Sequence, residues 1–234
     1  MLVVIAILAV LIALLTPALR NARTQARIAI CATQIRQLSQ ICFNYAVTAR
    51  GVLPDLTDSR NVYGDNSSFA AYWFSRKARD QFIASWGLSR SLVYCPSNEG
   101  WNLDNFWNED GTSTYGSGVS IWGYTYYGNN KNTNDKPPKV NWVRTFTDYP
   151  IGPNNIGSPS AQTFLWVDLN RTYLGQFGAG SNHMDGGEVA TGVLGPGYGG
   201  SNVGHRDGSV EWFPRQRAVQ RWWLNSGGIY RCYW

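Results

Sequence analysis

MLVVIAILAVLIALLTPALRNARTQARIAICATQIRQLSQICFNYA, residues 1–46, decides the architecture of this 234-residue chain. Its first fifteen residues are all apolar, with Leu2, Val3, Val4, Ile5, Ile7, Leu8, Val10, Leu11, Ile12, Leu14 and Leu15 supplying the bulk. Pro17 follows the run, and Arg20, Arg23 and Arg27 come after it. A spanning helix needs about 20 apolar residues. Counted through Leu19 the segment falls just short, like a membrane helix without its first turn. A secretory signal would need a basic start and a small-residue cleavage site, and Pro-Ala-Leu-Arg is a poor one.

Beyond the apolar run the helical pattern continues. Cys31, Ile35, Leu38, Cys42 and Tyr45 recur at steps of four, three, four and three, one face of a 3.6-residue period. Gln34, Arg36, Gln37, Ser39 and Gln40 are assigned to the wet face. Gly51 and Pro54 end the pattern. The spacing predicts one helix of about 50 residues, roughly 75 Å long, kinked or locally melted at Pro17. Its first third is apolar all round, which suits lipid or the dry core of a helical bundle.

The other composition signals are milder. The net charge of +5 is small and dispersed, too weak to specify nucleic acid. Arg20, Arg23 and Arg27 sit beside the apolar run, where pairing with carboxylates or lipid phosphates is the expectation. Four cysteines, at 31, 42, 95 and 232, carry no metal-binding spacing. Cys31 and Cys42 lie roughly 16 Å apart along one helix and cannot bond to each other. By elimination, the bridge that leaves the helix alone is Cys95–Cys232.

After Gly51 the sequence changes character. SSFAAYWFSRKARDQFIASWG (67–87) reads as a helix capped by Ser67 or Ser68 and ended by Gly87. SLVYCPSN (91–98), GVSIWGYTYYGNN (118–130), VNWVRTFTD (140–148), AQTFLWVDLN (161–170) and GSNVGHRDGSVEWF (200–213) read as strands between Gly/Asn/Pro loops. A long helix packed on an antiparallel sheet gives an α+β fold. Residues 1–50 are then the helical part, with 1–27 as anchor or filament core and 28–50 packing on a head of residues 51–234.

The N-terminal run resembles the start of type IV pilin-like proteins and type II secretion pseudopilins. The closest likeness is to the group with a prepilin-type N-terminus and a C-terminal His, spacer and Asp-Gly. Leu2-Val3-Val4-Ile5-Ala6 match that group's apolar run, and YCPSN (94–98) resembles its Cys-Pro-Ser stretch. Asn202, Val203, Asp207 and Gly208 fit its C-terminal pattern, and His183 fits the upstream His. Twenty-three residues separate His183 from Asp207, where the group usually has nine, so MDGGEVATGVLGPGYG (184–199) reads as an inserted loop. The resemblance implies an upstream Phe and acidic residue after a basic leader, and processing by prepilin peptidase. It also implies an inner-membrane precursor that an assembly machine builds into a surface filament or periplasmic pseudopilus, with other copies of the chain as partners.

Candidate chemical sites are sparse. Asp207-Gly208 signals a type I′ hairpin, and His183 is read as bonded to a carbonyl or carboxylate. No hydrolase or phosphate-binding motif is present, so neither enzyme nor cofactor is expected. Calcium is the one metal considered, with Asp104, Asn108, Glu109 and Asp110, or Asp185 and Glu188, as oxygen donors. None of these has an EF-hand spacing. Some pseudopilins hold Ca²⁺ in a C-terminal loop, which gives the resemblance a bearing here. Asn66 and Asn170 head Asn-x-Ser/Thr triplets. A second function, a membrane-anchored binding module, would use Trp101, Trp107, Trp122, Tyr124, Tyr126, Tyr127, Trp222 and Trp223 as a glycan platform. A third, an anchored enzyme, would need residues brought together from a distance.

Overall fold

The computed structural model describes residues 2–54, 56, 72–108, 119–126, 164–173, 176–177, 181–183, 199–205, 207–217, 220–225 and 229–233. Helix α1 (Leu2–Thr48) runs through Pro17 without a break. The local melting expected there does not occur. Proline removes one backbone donor, and beside that gap the Thr16 hydroxyl donates to the Ile12 carbonyl at 2.8 Å. The helix ends at its C-terminus in a left-handed Arg50 (φ 55°), and the Gly51 amide reaches back to the Ala46 carbonyl at 2.7 Å. That six-residue closure satisfies a carbonyl the helix would otherwise leave open.

The described strands are β1 (Trp73–Ser75), β2 (Val119–Ile121), β3 (Tyr124–Tyr126), β4 (Phe164–Asp168), β5 (Arg171–Tyr173), β6 (Gln176–Phe177), β7 (Gly200–His205), β8 (Val210–Pro214), β9 (Gln220–Asn225) and β10 (Ile229–Tyr233). Every pairing among them is antiparallel. They form a β1–β2 ribbon, a sheet of order β3-β4-β7-β8 and a sheet of order β6-β5-β10-β9. Helix α1 packs on β7, β4 and β8, so the fold is α+β. Two shorter helices, α2 (Arg76–Trp86) and α3 (Asp104–Trp107), complete the described elements with short 3₁₀ turns.

The helix buries Cys31, Ile35, Leu38, Ser39, Ile41, Cys42 and Ala46, while Tyr45 is half-buried and stacks on Phe82 of α2. Two residues assigned to the wet face belong to this packed one. Ser39 is fully buried and returns its hydroxyl to the Ile35 carbonyl at 3.0 Å. Gln34 donates to the Ser91 carbonyl at 2.7 Å and accepts from the Tyr124 hydroxyl at 2.5 Å. Ser39 is one turn from Ile35, so its position, not its polarity, fixes its burial.

Other local readings are corrected. Residues 73–75 are strand, and Ser75 caps α2 by accepting from the Ala78 amide. Ser67 and Ser68 lie outside the described residues, whereas Gly87 does end α2, in a left-handed conformation (φ 70°). SLVYCPSN forms a 3₁₀ turn at Arg90–Leu92 followed by bends, not a strand. VNWVRTFTD lies outside the described residues. Strands β5, β6, β9 and β10 had no counterpart in the sequence reading.

The helix packs tightly against the sheet at Gly204, opposite Trp166 in the β4–β7 register. A Cβ there would stand 2.4 Å from Ile35 Cγ2 and 3.3 Å from the Trp166 carbonyl. Gly204→Ala is therefore expected to cost about 1–3 kcal/mol by overpacking. In a double-mutant cycle with Ile35→Ala, followed by urea unfolding, the penalty should shrink. Additive costs within about 0.5 kcal/mol would show that the two residues do not collide.

Candidate functional site

Two features have functional potential. The first is the outer half of α1. Every residue from Leu2 to Arg23 is exposed, including Leu2 at 84% and Leu11 at 57%. The segment is long and apolar enough to cross a membrane, and none of the described residues covers it. A helix apolar on all sides needs lipid or other helices around it.

The second is a buried polar cluster where α1, β4 and β7 meet. β4 places Asp168 at its end, opposite Tyr124. The carboxylate is almost wholly buried. Its Oδ2 accepts from the Asn202 backbone amide at 2.6 Å, from Asn202 Nδ2 at 2.9 Å and from His183 Nε2 at 3.0 Å. Its Oδ1 accepts from Asn182 Nδ2 at 3.0 Å. A carboxylate without water demands such partners. Asn202 Nδ2 also reaches the Ile28 carbonyl of α1 at 3.2 Å, and Asn182 Nδ2 reaches the Gly123 carbonyl at 2.7 Å. The cluster therefore ties the helix to the sheet.

His183 adopts a left-handed backbone (φ 52°), unusual for a side-chain-bearing residue, and its carbonyl accepts from the Gly199 amide at 3.1 Å. Its ring lies edge-on to Trp212. Nε2–H donates to Asp168, and Nδ1 then accepts from the Ser97 hydroxyl at 3.1 Å. Cys95 Sγ lies 3.7 Å from Nε2.

Cys95 is bonded to Cys31, with the Cα atoms 5.5 Å apart, which corrects the Cys95–Cys232 expectation. Cys31 lies on the buried face of α1, and Gln34 three residues on already touches the 91–94 carbonyls, so the helix presents this thiol to the Cys-Pro-Ser turn. Backbone pairing puts Cys232 in β10, opposite Trp222 and Arg171. The bridge closes a loop of 64 residues' separation, worth about 4 kcal/mol on the chain-entropy account. Cys42 is a buried free thiol, pushed up to about 12 by burial. In a Cys232→Ser background, maleimide at neutral pH should leave the native chain unlabelled and modify one thiol after unfolding without reductant. Labelling of the native protein would place Cys42 outside the core.

The motif residues divide. His183, Asn202 and Asp168 meet, and Val203 is a fully buried core residue on the same strand. Asp207 and Gly208 instead form the β7–β8 hairpin. The Gly208 amide bonds the His205 carbonyl at 3.0 Å, the His205 amide bonds Ser209, and Gly208 is left-handed (φ 84°). With Gly208 left-handed and Asp207 not, the turn differs from the expected type I′, which would require positive φ at both. Asp207 Oδ1 accepts from the Ser209 amide and hydroxyl, which hold its carboxyl below the usual range. Burial holds His205 below its ordinary value, against the pull of Asp207 and Glu211.

Asp168 and Asn182 belong to none of the site motifs read from the sequence, and Ser97 enters only as part of the Cys-Pro-Ser stretch. The available signal was a carboxylate closing the apolar run FLWVD, because a strand buried on both faces cannot leave it unpaired. The other candidates divide between described and undescribed residues. Asp104 pairs with Arg90, and Asn108 accepts from Arg79 at 3.0 Å, so both calcium donors face guanidinium groups. Glu109, Asp110, Asp185, Glu188 and Asn66 lie outside the described residues. Asn170 is buried and donates to Ser201 Oγ at 2.5 Å, which leaves its amide inaccessible to a glycan. In the aromatic platform, Trp101, Trp122, Tyr124 and Tyr126 are core, and Trp107 is half-buried beneath the Arg79 guanidinium. Tyr127 and the side chains of Trp222 and Trp223 lie outside the described residues.

Comparison of the chain with protein-family models, with curated proteins and with solved structures gives no match. The architecture itself, a long apolar N-terminal helix packed on an antiparallel sheet, is pilin-like.

Proposed function

We propose that the chain is the structural subunit of a helical filament, of the type IV pilus or type II secretion pseudopilus kind, and that its activity is assembly. The observation that carries this reading is the outer half of α1, apolar on every side and uncovered, projecting from a helix whose inner half is bonded to the head. In the precursor that segment rests in the inner membrane. In the filament the same segments of neighbouring copies pack around one another, with residues 51–234 on the outside. Each large apolar side chain so covered contributes about 1.5–3 kcal/mol relative to exposure in water. Lipid covers the same side chains equally well, so transfer from membrane to filament needs work from an assembly machine. Prepilin peptidase would act on the precursor.

A rigid joint favours this reading over a binding module. The disulfide, the Asn202–Ile28 contact and the Gln34 bonds hold the helix to the head, as a subunit that transmits position along a filament requires. The described aromatic candidates for a glycan surface are spent in the core or under Arg79. The test is electron microscopy of sheared surface appendages with helical averaging. A repeating density with residues 2–27 at the axis is the expected result. A chain found only as membrane monomer, in cells that contain no such filament, would overturn the reading.

A further inference from the structure

The Cys31–Cys95 bridge does not stand alone. The two sulfurs, an Asp168 carboxylate oxygen and a His183 ring nitrogen all lie within 4.8 Å of one another, and all four residues are buried. Thiolate, thiolate, imidazole and carboxylate form a ligand set suited to zinc. Tetrahedral bonds of about 2.0–2.3 Å place ligand atoms about 3.3–3.8 Å apart. His183 Nε2 is already 3.7 Å from Cys95 Sγ and 3.0 Å from Asp168 Oδ2.

The surroundings fit as well. A metal-bound histidine is normally oriented by a hydrogen bond at its other nitrogen, and a metal-bound carboxylate by bonds to its other oxygen. Here Ser97 Oγ holds His183 Nδ1, and Asn182 Nδ2 holds Asp168 Oδ1. The left-handed His183 backbone is a further mark of a side chain held in place by its neighbours.

We propose that, once the disulfide is reduced, Cys31, Cys95, His183 and Asp168 form a four-coordinate site for a zinc-type divalent cation, which replaces the disulfide as the tie between α1 and the head. A dithiol reductant supplies two electrons and two protons, breaks the S–S bond and leaves as its own disulfide. The cation then displaces the two thiol protons to solvent, and the Nε2 proton of His183 shifts to Nδ1, with the Ser97 hydroxyl turning to accept, so the imidazole stays neutral. Two thiolates and one carboxylate exceed the charge of the cation by one, and the Asn182 and Asn202 N–H groups offset that excess. The site lies wholly within one chain, so it does not depend on filament assembly.

The test uses the full chain carrying Cys232→Ser in detergent micelles, reduced with excess dithiol, desalted without oxygen and titrated with cobalt(II). Expected is one cobalt per chain with thiolate charge-transfer and tetrahedral ligand-field bands, absent from the oxidised protein and from Cys31→Ser/Cys95→Ser. Ser97→Ala, which removes only the bond that orients His183, should weaken binding by about 10–100-fold. If the reduced chain unfolds, recovery of its native circular dichroism with one equivalent of cobalt supports the site, and failure to recover counts against it. A folded reduced chain without these bands, or undiminished binding in the double-serine variant, overturns the proposal.

Discussion

Replacing Asp168 with alanine is expected to destabilise the protein by about 3–5 kcal/mol, the range for removing one partner of a buried charged cluster. The carboxylate accepts from the Asn202 amide, Asn202 Nδ2, His183 Nε2 and Asn182 Nδ2, and it is buried away from bulk solvent. Each donor left without a partner adds its own desolvation penalty of about 1–3 kcal/mol, and relaxation of the side chains recovers part of it. At about 2–4 °C per kcal/mol for a domain of this size, the midpoint should fall by about 10 °C. Asp168→Asn retains an acceptor but turns an amide toward other donors, so it should also be destabilising. Thermal unfolding of the oxidised chain, with the Cys31–Cys95 bond intact in every variant, measures both. A midpoint within about 2 °C of the parent for Asp168→Ala would mean that the cluster does not hold the helix to the sheet.

Leu8→Arg is expected to abolish filaments while leaving the head folded. Leu8 is 53% exposed and lies outside the buried core of the described residues, so a charge there does not disturb the domain. In a packed helical core the guanidinium would be buried without a counter-charge. Even in a membrane, where long side chains can reach toward water, a central arginine costs about 2.5–3.5 kcal/mol on insertion scales. In a repeating polymer the penalty recurs at every subunit. The sheared-filament fraction should lose the protein, while the membrane fraction retains it with its disulfide formed. Normal filament yield from Leu8→Arg would remove the apolar helix from the assembly interface. Loss of the protein from both fractions calls for Leu8→Gln, which keeps the size and omits the charge; undiminished filaments from that variant would again count against the reading.

Much of the helix was legible because its signals are local. Cys31, Ile35, Leu38 and Cys42 repeat at helical spacing, and each is buried in the structure. The α+β class followed from that helix and from β-branched or aromatic runs between turn residues. Where polarity and position disagree, position decides burial. Ser39 and Gln34 looked like solvent residues, yet a serine can satisfy its hydroxyl on its own helix and a glutamine can bond the carbonyls of a neighbouring turn. The described members of the aromatic platform show the reverse case, being core or half-buried. Flat, amphipathic rings suit a binding surface, but Trp122 stacks on Phe74 with centroids 4.1 Å apart inside the core.

By itself, the sequence determined the long helix, its uncovered apolar half, its buried face and the hairpin position of Asp207-Gly208, because each depends on neighbours within a turn or two of chain. Only the tertiary structure decided which thiol meets Cys31 across 64 residues, and that Asp168 rather than Asp207 accepts the hydrogen bond from His183. Those contacts depend on the register of β4 against β7 and on which turn the helix face meets. Side-chain chemistry sets what such groups require, and packing selects which partner supplies it.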